Sequence, residues 1–458
     1  MTSFQKDYHF PEYSNLMKKY FFGHILDFSK GAGINDDGFK WRVSQIQPCG
    51  AHFIRFFSQK ILMVYSPEMV KFFTQLDEEL LIKSKKFKKI FPKIMHDAIL
   101  FKEGKKWKNH RKIFDPFFHA QKLKSSVKTS VKCTEELIAR WTTRAESGES
   151  LRIDTDLQAL TLKTIMSFLL GIDLDIYDND PNGLAASFIL VSDSVQMPKN
   201  VSAFLSRLPI IKNFCESGIR LKKANQTVHK LVADILATSN ERKSANDLAY
   251  YLSTMSNLSP QEITGDIFSM IFAGHETNKS TITWCLYELS KRPKFQQELF
   301  LWATTHQNIP IEELVNQDSL LTSFISEVQR CYSVAPEVVP RILKKSVTLP
   351  NGTVAPAGTQ FMVGIWESHM NPYVWHEPEI FKPKRFLEEE VTSGAFIPYS
   401  TGPRKCIGNR FAARQIRVIL LLLVKAFKIS QDKNHQTNMT RIMTMNASNG
   451  VKVFLQSR

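Results

Sequence analysis

The segment Tyr399-Ser400-Thr401-Gly402-Pro403-Arg404-Lys405-Cys406-Ile407-Gly408 combines a tight turn, two cations and a single cysteine. Gly402, Pro403 and Gly408 mark a turn that delivers Cys406 to the start of a helix, expected from about Gly408 through Val424. The helix N-terminus and the neighbouring Arg404 both favour negative charge on sulfur. Glycines at these places let the backbone approach a flat ligand and aim N–H groups at a thiolate. A lone cysteine is most often a small buried hydrophobe. Turn, helix start and cation together are instead what haem iron held by a cysteinate requires.

Working upstream, Ser259-Pro260-Gln261-Glu262 is a capping box with proline at the first helical position, so a long helix is expected from Ser259 to about Arg292. Pro293 ends it. Such a helix would run roughly 50 Å, enough to cross a whole domain. In its middle, apolar Ile271, Phe272 and Ala273 precede Gly274-His275-Glu276-Thr277. A glycine, a carboxylate and a hydroxyl conflict locally with helix propensity, and such conflicts tend to mark function. Strand signals are few: Phe53 to Tyr65, and Ser346 to Val363 with a hairpin signal at Asn351-Gly352. The expectation is one mainly α domain with a minor β portion, spanning residues 1–458.

These segments, in this order, resemble the cytochrome P-450 superfamily. Tyr399 to Gly408 is similar to its haem-binding loop, written F-x-x-G-x-R-x-C-x-G. Ala273 to Thr277 resembles its oxygen-activating A-G-x-[DE]-T. Glu327-Val328-Gln329-Arg330 matches E-x-x-R, Phe381 to Phe386 matches the P-x-R-F segment, and Trp107 to Arg111 matches W-x-x-x-R. The resemblance implies a single large domain enclosing haem b (iron protoporphyrin IX), with Cys406 as the iron ligand. It implies Trp107, Arg111, Arg341 and Arg404 at the haem propionates, and Gly274 beside the cofactor. Trp107 and Arg111, spaced i,i+4, share a helix face, and a guanidinium fork fits a carboxylate bidentately. Glu327 and Arg330 are expected to form a buried network with Arg385 that supports the cysteine loop, since an isolated buried charge is costly. Glu276 and Thr277 are the expected catalytic pair. Splitting O₂ needs two protons delivered inside an apolar pocket; a hydroxyl breaking the helix ladder and a nearby carboxylate can deliver them. Three departures from the family pattern stand out: Tyr399 for phenylalanine, Met370 after His369 for arginine, and Lys384 for glutamate before Arg385.

Composition agrees with a large folded core: 458 residues are 43% hydrophobic and include 33 phenylalanines. The formal net charge is +16, and Lys83 to Lys112 alone holds twelve Lys/Arg against Asp97 and Glu103. Together with Arg410, Arg414 and Arg417, this segment lies, by resemblance, on the cysteine side. Relatives dock acidic flavodoxin-like, ferredoxin-like or flavoprotein reductase electron donors there. No DNA-binding motif or aromatic-interleaved basic stretch accompanies the charge, which argues against nucleic acid. The six cysteines form no C-x-x-C pair, so neither a zinc ribbon nor a secreted disulfide framework is expected. The longest apolar run, Val418 to Val424, is far too short to cross a bilayer. The N-terminal stretch lacks the apolar anchor and proline-rich hinge of relatives on the endoplasmic reticulum. A cytosolic, monomeric enzyme is therefore expected, with an endoplasmic reticulum surface location if an anchor was trimmed. Peripheral membrane contact through Tyr20-Phe21-Phe22 and Ile25-Leu26 is compatible with the sequence.

The functional expectation is a monooxygenase that inserts one atom of O₂ into an apolar, lipid-like molecule. Substrate contacts are implied before Trp107, around Ser187 to Phe214, along Ile271 to Thr277, at Ala335 to Val339 and near Asn446 to Asn449. The alternatives are a haem-thiolate isomerase or lyase, and a non-catalytic haem or ligand sensor. The first usually lacks the acid–alcohol pair, and the second has no use for it.

Overall fold

The computed structural model describes residues 43–458 apart from 57–58, 90, 174–185, 189, 192–215, 243–246, 318, 442–443 and 448. The aromatic membrane-contact candidates at 20–26 and most of 187–214 lie outside the described residues. The fold is mainly helical with a minor β portion.

One helix organises the rest. Among the described elements, helices α1 (Pro67–Gln75), α2 (Gly104–Phe114), α3 (Ala120–Ala145), α4 (Ile153–Leu170), α5 (Glu216–Ala237) and α6 (Leu248–Met255) precede α7 (Pro260–Ser290). Helix α7 starts as its capping box requires: the Ser259 side chain accepts from Glu262 N–H, and the Glu262 carboxylate accepts from Ser259 N–H. Its 31 residues span about 46 Å. It packs on α4 and on α12 (Asn409–Ala426), the helix that follows the cysteine turn. Asn278 donates to Gln415 of α12, and the Trp284 indole donates to the Met445 carbonyl at 3.0 Å. Asn278 and Trp284 on this largely buried helix thus find partners in other elements.

Between α7 and α12 come α8 (Pro293–Thr305), α9 (Leu320–Cys331), α10 (Ile365–His369) and α11 (Arg385–Glu388). The strands are β1 (Ala51–Phe56), β2 (Gln59–Val64), β3 (Leu81–Lys83), β4 (Leu151–Arg152), β5 (Arg341–Leu343), β6 (Val347–Thr348), β7 (Val354–Ala355), β8 (Gln360–Val363), β9 (Phe427–Gln431), β10 (Met439–Arg441), β11 (Met445–Ala447) and β12 (Lys452–Ser457). A five-stranded sheet runs β1-β2-β8-β5-β3, and smaller groups are β4-β12-β9, β6-β7 and β10-β11. The single strand signal at Phe53 to Tyr65 is in fact an antiparallel pair, with Ala51 opposite Val64 and Phe56 opposite Gln59. The apolar run Ile61 to Val64 does not alternate and is buried throughout, so sequence pattern alone does not reveal the reversal. The Asn351-Gly352 turn does close β6 on β7, with Gly352 at φ +81°. Among the described residues, no helix is long and apolar enough to cross a membrane.

Candidate active site

The cysteine turn is held by its own backbone. Ser400 N–H donates to Ile397 O at 2.9 Å, Cys406 N–H to Tyr399 O at 3.0 Å, and Lys405 N–H to Gly402 O at 3.0 Å. Gly402 lies at φ +74°, and a Cβ there would sit 2.4 Å from the Thr74 carbonyl oxygen. The glycine serves close approach to α1, not to a ligand. Gly408 differs: a Cβ would meet only Phe118, at 3.8 Å. Gly402→Ala should therefore destabilise the protein itself, by about 1–3 kcal/mol for the backbone conformation alone, read as a lowered melting temperature. Gly408→Ala should leave melting of the cofactor-free chain unchanged and show any effect in haem content.

The Cys406 sulfur is enclosed by surrounding chain, which pushes its thiol up, while the Gly408 N–H and the charges of Arg111 and Lys405 pull it down. Yet Cys406 remains accessible. Enclosed and accessible together place it on the wall of an internal cavity. Arg404 does not act on the sulfur as the sequence suggested, because its guanidinium is directed elsewhere. The cations that reach the thiol are Arg111 and Lys405.

Helix α7 supplies another wall. Met270, Ala273, Gly274 and Thr277 follow i, i+3, i+4, i+7 spacing and are among its less buried positions, with Ala273 exposed in mid-helix. Thr277 Oγ1 donates to Ala273 O at 2.8 Å, a bond back to the preceding turn. At Gly274 an added Cβ would lie 2.7 Å from Ile165 of α4, so this glycine keeps α7 against α4.

The expected propionate partners converge, though not in the expected pairs. Strand pairing puts Lys83 directly opposite Arg341. Two like charges there are unfavourable without an anion, and the buried Glu78 supplies one. Arg341 Nη1 donates to Glu78 Oε1 at 2.6 Å, and Arg404 Nε and Nη2 to Glu78 Oε2 at 2.9 and 2.5 Å. Burial would raise the Glu78 carboxyl, but Arg404 and Arg341 hold it below its ordinary value. Burial, with Arg404 and Arg341 nearby, drives Lys83 well below the usual lysine range. Arg404 also lies 3.9 Å over the Trp107 ring and is pushed down to about 10, chiefly by burial. Arg111, by contrast, bonds Asp115 at 2.9 Å and the Lys405 carbonyl at 2.9 Å. Trp107 thus stacks with Arg404, while Arg111 on the same helix braces the cysteine turn.

Behind the turn, Glu327, Arg330 and Arg385 are completely buried. Glu327 accepts from Arg330 Nε and Nη2 at 2.8 and 2.9 Å, from Arg385 Nε at 3.1 Å on both oxygens, and from Lys382 N–H at 2.9 Å. Glu389 gives Arg385 a second carboxylate at 2.7 Å. His369, pushed down to about 3 by burial and Arg330, stays neutral; it meets Ser333 Oγ at 2.8 Å and accepts from Ile397 N–H at 2.9 Å. Gln329 Nε2 donates to the Tyr399 hydroxyl at 2.9 Å, giving that polar departure from the family pattern a partner. Met370 places its sulfur 3.7 Å from Arg330 Nη1, and Lys384 forms a surface pair with Glu298 at 2.6 Å. Sequence reasoning missed Glu78, Glu389 and His369 as supports. Only His369 stood out in the sequence, and there for its neighbour.

An accessible, enclosed cysteine, a less buried stripe on α7 and two guanidiniums, Arg341 and Arg404, gathered on Glu78 fit a flat dianionic iron porphyrin. The sequence pattern of the family described as Cytochrome P450 matches residues 16–453, and the chain belongs to that family. It is 29% identical to human Cytochrome P450 4Z1 over 88% of this chain and 82% of the relative. It is 27% identical to rat Cytochrome P450 4F4 over 81% and 76%, and 28% identical to mouse Leukotriene-B4 omega-hydroxylase 3 over 73% and 69%.

Proposed function

We propose that residues 1–458 form one haem b domain that hydroxylates a lipid-like substrate, with Cys406 as the iron ligand. The observation that carries this is the enclosed yet accessible Cys406 at the start of α12, the helix that packs on α7 and its less buried Met270-Ala273-Gly274-Thr277 stripe. When bound, the haem-thiolate group supplies O₂ activation with electrons from a partner. The protein supplies the rest. Gly408 N–H, Arg111 and Lys405 favour the ionised sulfur; Arg341, Arg404 and Trp107 bind the cofactor's acidic edge; Thr277 Oγ1 holds a proton at the cavity; Glu276 feeds it. A relative whose name states omega-hydroxylation of leukotriene B4 supports a fatty-acid-like substrate oxidised near its end.

An acidic electron donor fits the outer face. Lys105, Lys106, Lys108 and Lys112 are exposed on α2, and Arg111 ties that helix to Lys405 of the cysteine turn. The positive field is therefore continuous with the chain that holds the sulfur.

The test is coupling. Fatty acids are screened for substrate-induced spectral shifts, and a binder is used with a surrogate reductase. Thr277→Ala should keep haem content and reduction but divert reducing equivalents into hydrogen peroxide. Product per reduced nicotinamide should fall by roughly 10²-fold, the lower end for loss of a proton-transfer group. Unchanged coupling would favour the lyase or sensor alternatives.

A further inference from the structure

Glu276 does not meet the neighbour its sequence position suggests. Its buried carboxylate accepts from Lys279 Nζ at 3.1 Å and from Asn446 Nδ2 at 3.0 Å, both on Oε1. Lys279 also reaches Asn446 Oδ1 at 3.3 Å, the Ser280 hydroxyl donates to that same oxygen, and Asn446 Nδ2 donates to Thr444 Oγ1 at 2.7 Å. Glu276, Lys279 and Ser280 share one face of α7 by i, i+3, i+4 spacing. Thr277 belongs to the adjoining cavity stripe, which Glu276 borders at i+3 from Ala273. The acid is thus turned towards β11, which reaches it from far along the chain.

The charge balance of this site is simple. His275, the other titratable group acting on Glu276, is fully enclosed and held neutral by burial. From β11 and its approach, the groups that face the acid are Asn446 and Thr444, both uncharged. Burial alone would raise the Glu276 carboxyl; Lys279 and the hydrogen bonds hold it below its usual range. Lys279 is also the more accessible of the pair, at 12% against 5% of its side chain.

We propose that Lys279 and Asn446 are positioning residues for Glu276, keeping it a carboxylate turned towards β11, and that Lys279 is the group through which its proton arrives. This rests on the monooxygenase reading above. In each transfer an N–H bond of Lys279 Nζ breaks as an O–H bond forms on Glu276, and water returns a proton to the lysine. No electrons move in the transfer. The carboxyl then releases its proton on the cavity side and returns to Lys279.

Infrared titration of the haem-loaded resting protein tests the positioning without any turnover. Wild type should show no protonated-carboxyl band from Glu276 between about pH 6 and 9, well above the ordinary glutamate pKa. Lys279→Gln keeps a donor but loses the charge. Burial then dominates and the band should appear near neutral pH, to vanish in Lys279→Gln/Glu276→Gln. Lys279→Arg should restore the wild-type spectrum, and Asn446→Ala should move the carboxyl in the same direction by less. With lauric acid as probe and a surrogate reductase, Lys279→Gln should lose roughly tenfold in product per nicotinamide. Its yield should fall as pH rises through the raised carboxyl pKa, a limb absent from wild type. A folded, haem-containing Lys279→Gln or Asn446→Ala with no new band overturns the proposal. A band that appears in a protein forming no oxygenated product supports the positioning and removes the monooxygenase reading instead.

Discussion

Cys406→Ser should abolish the strongly red-shifted Soret band that the reduced, carbon monoxide-treated wild-type protein is expected to show. The hydroxyl occupies nearly the same volume, so the fold should persist. It is a far harder and more weakly acidic ligand than a thiol, and the loop's means of favouring an anion are matched to sulfur. Those means are specific: the Gly408 N–H and the charges of Arg111 and Lys405 oppose the effect of burial on the thiol. Arg111→Leu should accordingly shift the same band in part, because it removes one of the two cations and a brace from the Lys405 carbonyl. The contrast between the two variants separates ligand loss from loss of electrostatic support. Identical spectra for wild type and Cys406→Ser would mean that Cys406 is not the ligand.

The second large effect is on stability. Glu327→Ala should destabilise the protein by about 3–5 kcal/mol, since it strands charges that have no access to water. Glu327 is the shared carboxylate of Arg330 and Arg385, and it also accepts from the Lys382 backbone. Glu389 still reaches Arg385, but Arg330 would keep no hydrogen-bonded carboxylate, only neutral partners such as Pro378 O at 2.7 Å and His369 O at 3.0 Å. The control is Lys384→Ala, which breaks the exposed Lys384–Glu298 pair. It should change stability by under about 1 kcal/mol, as surface pairs do. Urea denaturation followed by tryptophan fluorescence compares the two, and equal midpoints would refute a supporting role for the buried network. Haem retention should follow the same ranking, because His369 and Gln329 connect this network to Ile397 and Tyr399 at the base of the cysteine turn.

Much of this site is readable one segment at a time. The capping box at Ser259, the proline stop at Pro293, the helix after Gly408 and the Asn351-Gly352 turn all depend on interactions between near neighbours in sequence. Local rules suffice there, because the physical cause lies within a few residues of its effect. The E-x-x-R pair is also local: i,i+3 spacing brings Glu327 and Arg330 into contact on one helix face.

Pairings between distant segments are a different matter. Trp107 and Arg111 lie on one helix, yet Trp107 stacks under Arg404, and Arg111 turns to Asp115 and the cysteine turn. Glu78 carries no motif; its role arises because strand pairing sets Lys83 against Arg341 and burial demands an anion between them and Arg404. Gly402 looked like an opening for a ligand, and its neighbour is the Thr74 carbonyl of α1.

What the chain's order of residues determines by itself is the chemistry on offer: a cysteine at a helix start, an acid and an alcohol in mid-helix, and a surplus of arginine and lysine. Periodicity, capping and turn chemistry act over short range, so these features are set before any tertiary contact forms. Tertiary structure alone decides which charge meets which. Glu276 meets Asn446, 170 residues away, and Glu78 meets Arg341 and Arg404. The reason is electrostatic: inside a low-dielectric core every buried charge must take the nearest complementary group, and only packing determines which group that is.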